Sequence, residues 1–191
     1  MTLSFYDANA QVYFDSTVTA DVSAIRHRFL SHLPPGAAIL DAGCGSGRDT
    51  KAFREAGYEV TAFDGSPAMV ALAREYTGGE VACLRFDEVE WVARFEGIWA
   101  CASLLHVPRD QLALTFGRLA GALRTGGAWY FSMKLGTTTR HVEGRSFTDI
   151  LPEQAEELGA DAGLKLAELW ISDSVQSHSS DRWVNVIARK P

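Results

Sequence analysis

The stretch Ala38-Ile39-Leu40-Asp41-Ala42-Gly43-Cys44-Gly45-Ser46-Gly47 decides the reading of this sequence. A short apolar run stops at glycines, and residues 48–56 behind them are helical in pattern and end at Gly57. An apolar run of this length, bounded by turn residues, predicts a buried strand of a parallel sheet. Glycines straight after a strand let the backbone turn sharply and approach a ligand with no side chain between. The spacing here is G-x-G-x-G. A dinucleotide pyrophosphate is better served by G-x-G-x-x-G, which sets a helix N-terminus on the phosphates. Asp41 argues the same way, because a carboxylate before the turn repels phosphate and suits a cationic ligand.

Outward from this turn the alternation continues. Residues 58–63 read as a second strand and 67–76 as a helix, with Ser66 as N-cap, Pro67 in the first helical position and Gly78-Gly79 behind it. Residues 81–85 form a weaker third strand and 97–102 a fully apolar fourth. A helix over 109–123 leads through Gly126-Gly127 into a fifth strand at 128–133. Residues 135–150 read as a loop, 153–162 as a helix, and 166–172 and 183–188 as two last strands, able to pair as a hairpin across 173–181. Upstream, apolar positions at helical spacing over 3–33 predict one or two helices, closed by Pro34-Pro35-Gly36. The expected fold is α/β: a Rossmann-like seven-stranded, mostly parallel sheet with an antiparallel last strand and helices on both faces. With no linker, repeat or low-complexity segment, residues 1–191 are expected to form one domain, with 1–36 as a helical lid and 37–191 as the core.

Asp64 closes the second strand, twenty-three residues after Asp41. An acid there can accept both hydroxyls of a ribose. On these two motifs, ILDAGCGSGRDT and VTAFDGSPAMVALAR, the chain resembles the class I S-adenosylmethionine-dependent methyltransferases, with motif quality from about Ala38 to Met133. The SLLHV segment and the GSGRD turn look most like small stand-alone bacterial members, some of them tellurite-resistance-like. The resemblance implies S-adenosylmethionine as cofactor and S-adenosylhomocysteine as product. It implies that Asp41, Gly43 and Gly45 cradle the amino-acid end and that Asp64 holds the ribose, with Gly65 and Ser66 beside it. It also implies that Phe86 and Asp87 line the adenine pocket and that Ala102 and Ser103 meet the ammonium. One departure, Arg124-Thr125-Gly126-Gly127 in place of Lys-Pro-Gly-Gly, touches only a turn.

Composition narrows the function. The 191 residues carry a formal net charge of -6 with scattered basic residues, which disfavours a nucleic-acid partner. No apolar stretch approaches the roughly 18 residues of a membrane span, and the N-terminus carries no signal-peptide pattern. Cys44, Cys83 and Cys101 form no C-x-x-C pair. The expectation is a cytoplasmic protein with reduced cysteines and no metal site.

Acceptor chemistry is expected beyond strands four and five. His106 could serve as a base, with a structural histidine as the alternative. Lys134, Arg145 and Arg182, with Arg140 and His141 nearby, could converge on an anionic acceptor or stand as scattered surface charge. Tyr6 and Tyr13, seven residues apart, share a helical face and could cover the site. The Asn/Asp-Pro-Pro-Tyr/Phe motif of amine methylation and the Pro-Cys of cytosine methylation are both absent after strand four. A small-molecule methyl acceptor is therefore the leading expectation. A protein or RNA acceptor, a non-catalytic S-adenosylmethionine or S-adenosylhomocysteine binder, and, more distantly, a NAD-dependent oxidoreductase are the alternatives.

Overall fold

The computed structural model of the chain describes residues 2–175 and 179–191. Three short helices come first: α1 (Thr2–Ala8), α2 (Ala10–Thr17) and α3 (Ser23–Leu30). Strand and helix then alternate through β1 (Ala38–Ala42), α4 (Arg48–Glu55), β2 (Glu59–Asp64), α5 (Pro67–Thr77), β3 (Ala82–Cys83), β4 (Phe95–Ala100), α6 (Leu112–Ala122) and β5 (Leu123–Lys134). A hairpin of β6 (Thr139–Val142) and β7 (Arg145–Thr148) follows, then α7 (Pro152–Asp161), β8 (Lys165–Asp173) and β9 (Arg182–Arg189).

One seven-stranded sheet runs in the order β3-β2-β1-β4-β5-β9-β8. Its left half is parallel, as is the β4–β5 pair, while β9 runs antiparallel to both β5 and β8. This is the mostly parallel sheet with an antiparallel last strand that the sequence predicts. Successive side chains of a strand face opposite ways, and β5 divides its residues accordingly. Trp129, Phe131 and Met133 join a core with Phe116 and Leu119 of α6 and Ala155 of α7. Ala128 and Tyr130 join another with Phe29 of α3, Phe53 of α4 and Trp99 of β4. Helices thus cover both faces. Trp99 and Tyr130 stack with ring centroids 4.2 Å apart. Each such fully buried aromatic contributes about 2–3 kcal/mol through its removal from water.

Ser66 caps α5 as expected, its Oγ accepting the Met69 amide with Pro67 behind it. Four expectations need correction. The N-terminal segment makes three helices. The third strand shrinks to two exposed residues, because it is a sheet edge that pairs only with Phe63 and Asp64. The fifth strand starts at Leu123, since Gly126-Gly127 is absorbed as an irregularity opposite residues 95–97 and does not end the pairing. Residues 135–150 are not a plain loop: β6 and β7 are joined by Glu143 and Gly144, both at positive φ, as a tight two-residue hairpin turn demands. β8 and β9 do pair as an antiparallel hairpin. Part of its expected turn, residues 176–178, lies outside the described residues.

Candidate functional site

The strand order reverses between β1 and β4, and the carboxyl ends of strands at such a reversal form a crevice. Side chains lace those ends together. Ser103 Oγ donates to the Ala42 carbonyl at 2.7 Å, and the Ala102 amide donates to Ser132 Oγ at 2.9 Å. Ala102 is held at φ 54°, a left-handed conformation that costs a non-glycine about 1–2 kcal/mol. Strain of this kind gathers where a backbone must present itself to a ligand.

Two adjoining cavities, of about 560 and 450 Å³, open at the crevice. Tyr6, Tyr13, Gly43, Gly45, Ala102 and His106 border both. Asp64, Gly65, Phe86, Asp87 and Ser103 line the smaller one. Asp41, Lys134, Arg140, Arg145, Phe147 and Trp183 line the larger. Gly43 sits at φ +77°, and a Cβ on it would lie 2.6 Å from Ser103 Cβ and 3.3 Å from Phe86 Cζ. The turn is therefore a cradle that one methyl group would fill.

Asp64 accepts the Gly45 amide at 3.0 Å and the Ser66 amide at 2.9 Å, which fixes the carboxylate against the glycine turn. Asp41 is buried and accepts a hydrogen bond from Thr50 Oγ1 at 2.5 Å. Burial, with Asp49 beside it and Thr50 opposing, pushes the Asp41 carboxyl up to about 7. Its pKa is thus raised above the roughly 3.9 of an unfolded chain. Its stabilising contribution is complete below pH about 4 and is lost as pH rises through about 7. A cation placed beside it reverses that loss by pairing with the ionised form. Ligand-induced thermal stabilisation by S-adenosylhomocysteine is accordingly expected to be larger at pH 8 than at pH 6, and Asp41→Asn should remove the difference. Equal shifts at both pH values in the wild-type chain would contradict this reading of Asp41.

His106 has little freedom. Its Nδ1 lies 2.8 Å from the Ser146 carbonyl and so donates, leaving Nε2 to accept the Tyr6 hydroxyl at 2.7 Å. Burial pushes the imidazole down to about 4, so it is neutral at pH 7 with its lone pair engaged. Burial, with Tyr13 close by, raises the Tyr6 phenol far above its ordinary range, although Arg145 pulls against it. Tyr6 and Tyr13 meet edge to face at 4.8 Å, so α1 and α2 bring both rings over the crevice.

The expected cluster of cations forms in part. Lys134 pairs with Asp181 at 2.6 Å, and Arg140 grips Asp149 through two bonds of 2.7 and 2.8 Å. Arg145 stands against Phe5 and Phe147, its guanidinium carbon 4.4 and 5.2 Å from the ring centres. Arg182 does not join them: its side chain is 60% exposed, near Asp173, and lines neither cavity. It lies one residue from Trp183, which does line the larger cavity, and strand alternation sends the two side chains opposite ways. Ser66 also stays off the walls, its hydroxyl spent on the cap and on a bond to Asp7 at 2.5 Å. Asp87 lines the smaller cavity while paired with Arg85.

Sequence reasoning missed Asp49. Burial pushes its carboxyl up, but Arg48 and Arg26 outweigh burial and hold it below the usual range. Trp99 Nε1 donates to it at 3.0 Å, Arg26 at 2.7 Å and Arg48 at 2.7 Å. The charged Arg48-Asp49 pair after the glycines was the available signal.

The family described as "Methyltransferase domain" matches residues 39–127, the span from β1 into β5. That match covers just under half of the chain, and the sheet order and crevice around it are those of a methyltransferase-like fold. It is 34% identical to a malonyl-[acyl-carrier protein] O-methyltransferase of Erwinia pyrifoliae over 55% of this chain and 41% of that protein. It is also 34% identical to a ubiquinone biosynthesis O-methyltransferase of Xanthomonas campestris pv. campestris over 51% of this chain and 43% of that protein. The chain thus spans less than half the length of these relatives. The fold is shared with a 1,6-didemethyltoxoflavin-N1-methyltransferase of Burkholderia thailandensis, solved with 1,6-didemethyltoxoflavin and S-adenosylhomocysteine. The TM-score is 0.80 at 24% identity, covering 98% of this chain and 84% of that one. Among the described residues no helix is long and apolar enough to cross a membrane.

Proposed function

We propose that this chain is an S-adenosylmethionine-dependent methyltransferase whose acceptor is a small molecule. The cradle at Gly43, open only because no Cβ fills it, is the observation that carries the reading. The residues around it suit the cofactor's chemistry. Asp41 offers a carboxyl toward an ammonium, and Asp64 offers a carboxylate toward ribose hydroxyls. Phe86, resting on Phe63 at 5.4 Å, offers an apolar wall to adenine. Ala102 and Ser103 present the end of β4 beside Gly43. When bound, the cofactor supplies an electrophilic methyl group on its sulfonium.

The chain's own contribution is then to align a nucleophile and exclude water. The larger cavity receives the acceptor, with α1 and α2 as a lid carrying Tyr6 and Tyr13 over the junction of the two cavities. A small acceptor fits this enclosure better than a protein or RNA does, because the acceptor side is walled by the lid and the β6–β7 hairpin. His106, neutral and engaged by Tyr6, acts as a positioning residue for Tyr6 and takes up a proton only if that hydroxyl gives way.

Calorimetric titration with S-adenosylmethionine, S-adenosylhomocysteine and NAD tests the assignment. The first two are expected to bind and NAD to fail. Asp64→Ala should weaken both by about 1–3 kcal/mol through lost charge-assisted hydrogen bonds. Unchanged affinity in that variant would remove Asp64 from the site.

A further inference from the structure

Four cations among the described residues border the larger cavity, and their partners differ: Arg48 is held by the buried Asp49. Asp149 occupies Arg140 on two nitrogens, and Asp181 holds Lys134 at 2.6 Å. Among the described residues the only carboxylate that Arg145 pairs with is Glu143, at 3.1 Å and 71% exposed on the hairpin turn, and the guanidinium also hydrogen-bonds the Tyr6 hydroxyl. So exposed a pair contributes little. The Nε of Arg145 is buried and has no hydrogen-bond partner among the described residues. Burying such a donor unpaired is unfavourable, a penalty that a ligand acceptor atom would remove. The guanidinium is held in place by Phe5 and Phe147, and its charge acts on Tyr6 and His106, at the junction of the cavities. Phe147 and Trp183 add flat apolar walls.

We infer that Arg145 is the acceptor-recognition residue, and that the acceptor is a small aromatic molecule bearing an oxyanion such as a carboxylate. This inference rests on the methyltransferase reading above. A guanidinium binds a carboxylate through parallel hydrogen bonds. With the neighbouring cations already paired, discrimination between an acid and its neutral counterpart falls to this one side chain.

The test uses the full chain, first titrated with S-adenosylhomocysteine and then, saturated with it, with 4-hydroxybenzoate or the neutral 4-hydroxybenzamide. The acid is expected to bind at least about tenfold more tightly than the amide, a difference of about 1.4 kcal/mol. Arg145→Gln should abolish the preference and leave S-adenosylhomocysteine affinity and Tm close to wild type. Glu143→Gln, which removes the competing carboxylate without disturbing the core, should tighten the acid alone. Equal or absent binding of acid and amide to the wild-type complex would overturn the inference, as would a preference that survives Arg145→Gln. Loss of S-adenosylhomocysteine affinity in Arg145→Gln would also overturn it, by assigning the guanidinium to the cofactor's own carboxylate. Failure of the wild-type chain to bind S-adenosylhomocysteine appears in the first titration and would sink the underlying reading instead.

Discussion

Gly43→Ala is expected to weaken S-adenosylhomocysteine binding by about 100-fold, or about 2.7 kcal/mol. The substituted turn relaxes in the free chain, and binding must restore the bare cradle against two separate costs. The residue sits at φ +77°, where a side chain costs about 1 kcal/mol. The new Cβ would also stand 2.6 Å from Ser103 Cβ, and Ser103 cannot yield without losing its bond to the Ala42 carbonyl. Gly45→Ala separates these causes. It shares the positive φ, but the nearest atom to its Cβ is Tyr13 Cε1, a relaxed 3.8 Å away. Its loss should be only about fivefold, the size of the backbone cost alone. Pairing Gly43→Ala with Ser103→Gly should recover the steric share. If the two glycine variants bind equally well, crowding at Ser103 is not what keeps position 43 bare.

Asp49→Ala is expected to cost about 3–5 kcal/mol of stability. This carboxylate is 5% exposed and receives hydrogen bonds from Arg26, Arg48 and Trp99. Removing it leaves two guanidinium groups, each only 19% exposed, without their counter-charge, and an indole N–H without an acceptor. It also removes the polar link between α3 and α4, leaving α3 held by Arg28, which pairs with Glu168 of β8, and by its buried Phe29. For a chain of this size about 2–4 °C of Tm is lost per kcal/mol, so thermal unfolding should fall by roughly 6–20 °C. Asp49→Asn keeps an acceptor and loses only charge, and should lie between. A Tm within about 2 °C of wild type in Asp49→Ala would show that the two arginines find other partners.

Much of the fold could be read from the sequence because its elements are regular. Residues 38–42 and 97–102 read as short, mainly apolar runs, and the structure places β1 at Ala38–Ala42 and β4 two residues earlier than that reading, at Phe95–Ala100, because Phe95 pairs with Leu123 ahead of the irregularity. Ser66-Pro67 announced a helix start through cap chemistry. The β6–β7 hairpin escaped because its strands are four residues each and mostly polar, and because Glu143-Gly144 is a weaker signal than Asn-Gly. An X-Gly pair flanked by Arg140 and Phe147, partners across the hairpin, was the available clue. At the site, Asp41, Gly43 and Asp64 stood out because chemistry and spacing agree. Ser66 and Arg182 were placed by neighbourhood, and neighbourhood does not give side-chain direction: one turned inward to its cap and the other out to solvent. Asp49 was overlooked because a charged pair at a helix start reads as surface until tertiary structure buries it.

The β6–β7 hairpin leaves β5 and comes back to the same place. Leu135 and Ile150 bridge at its base, with the Ile150 amide donating to the Lys134 carbonyl at 2.9 Å. Its removal or replacement would therefore leave the two ends of the surrounding chain side by side, and closing a short loop between adjacent ends costs little entropy. The segment behaves as an exchangeable cassette. The smaller cavity takes its walls from the ends of β1, β2 and β4, while residues 139–148 supply Arg145 and Phe147 to the larger one and anchor His106 through Ser146. Under the proposed function, residues 139–148 can thus be exchanged to change the acceptor wall while the walls of the smaller cavity stay as they are.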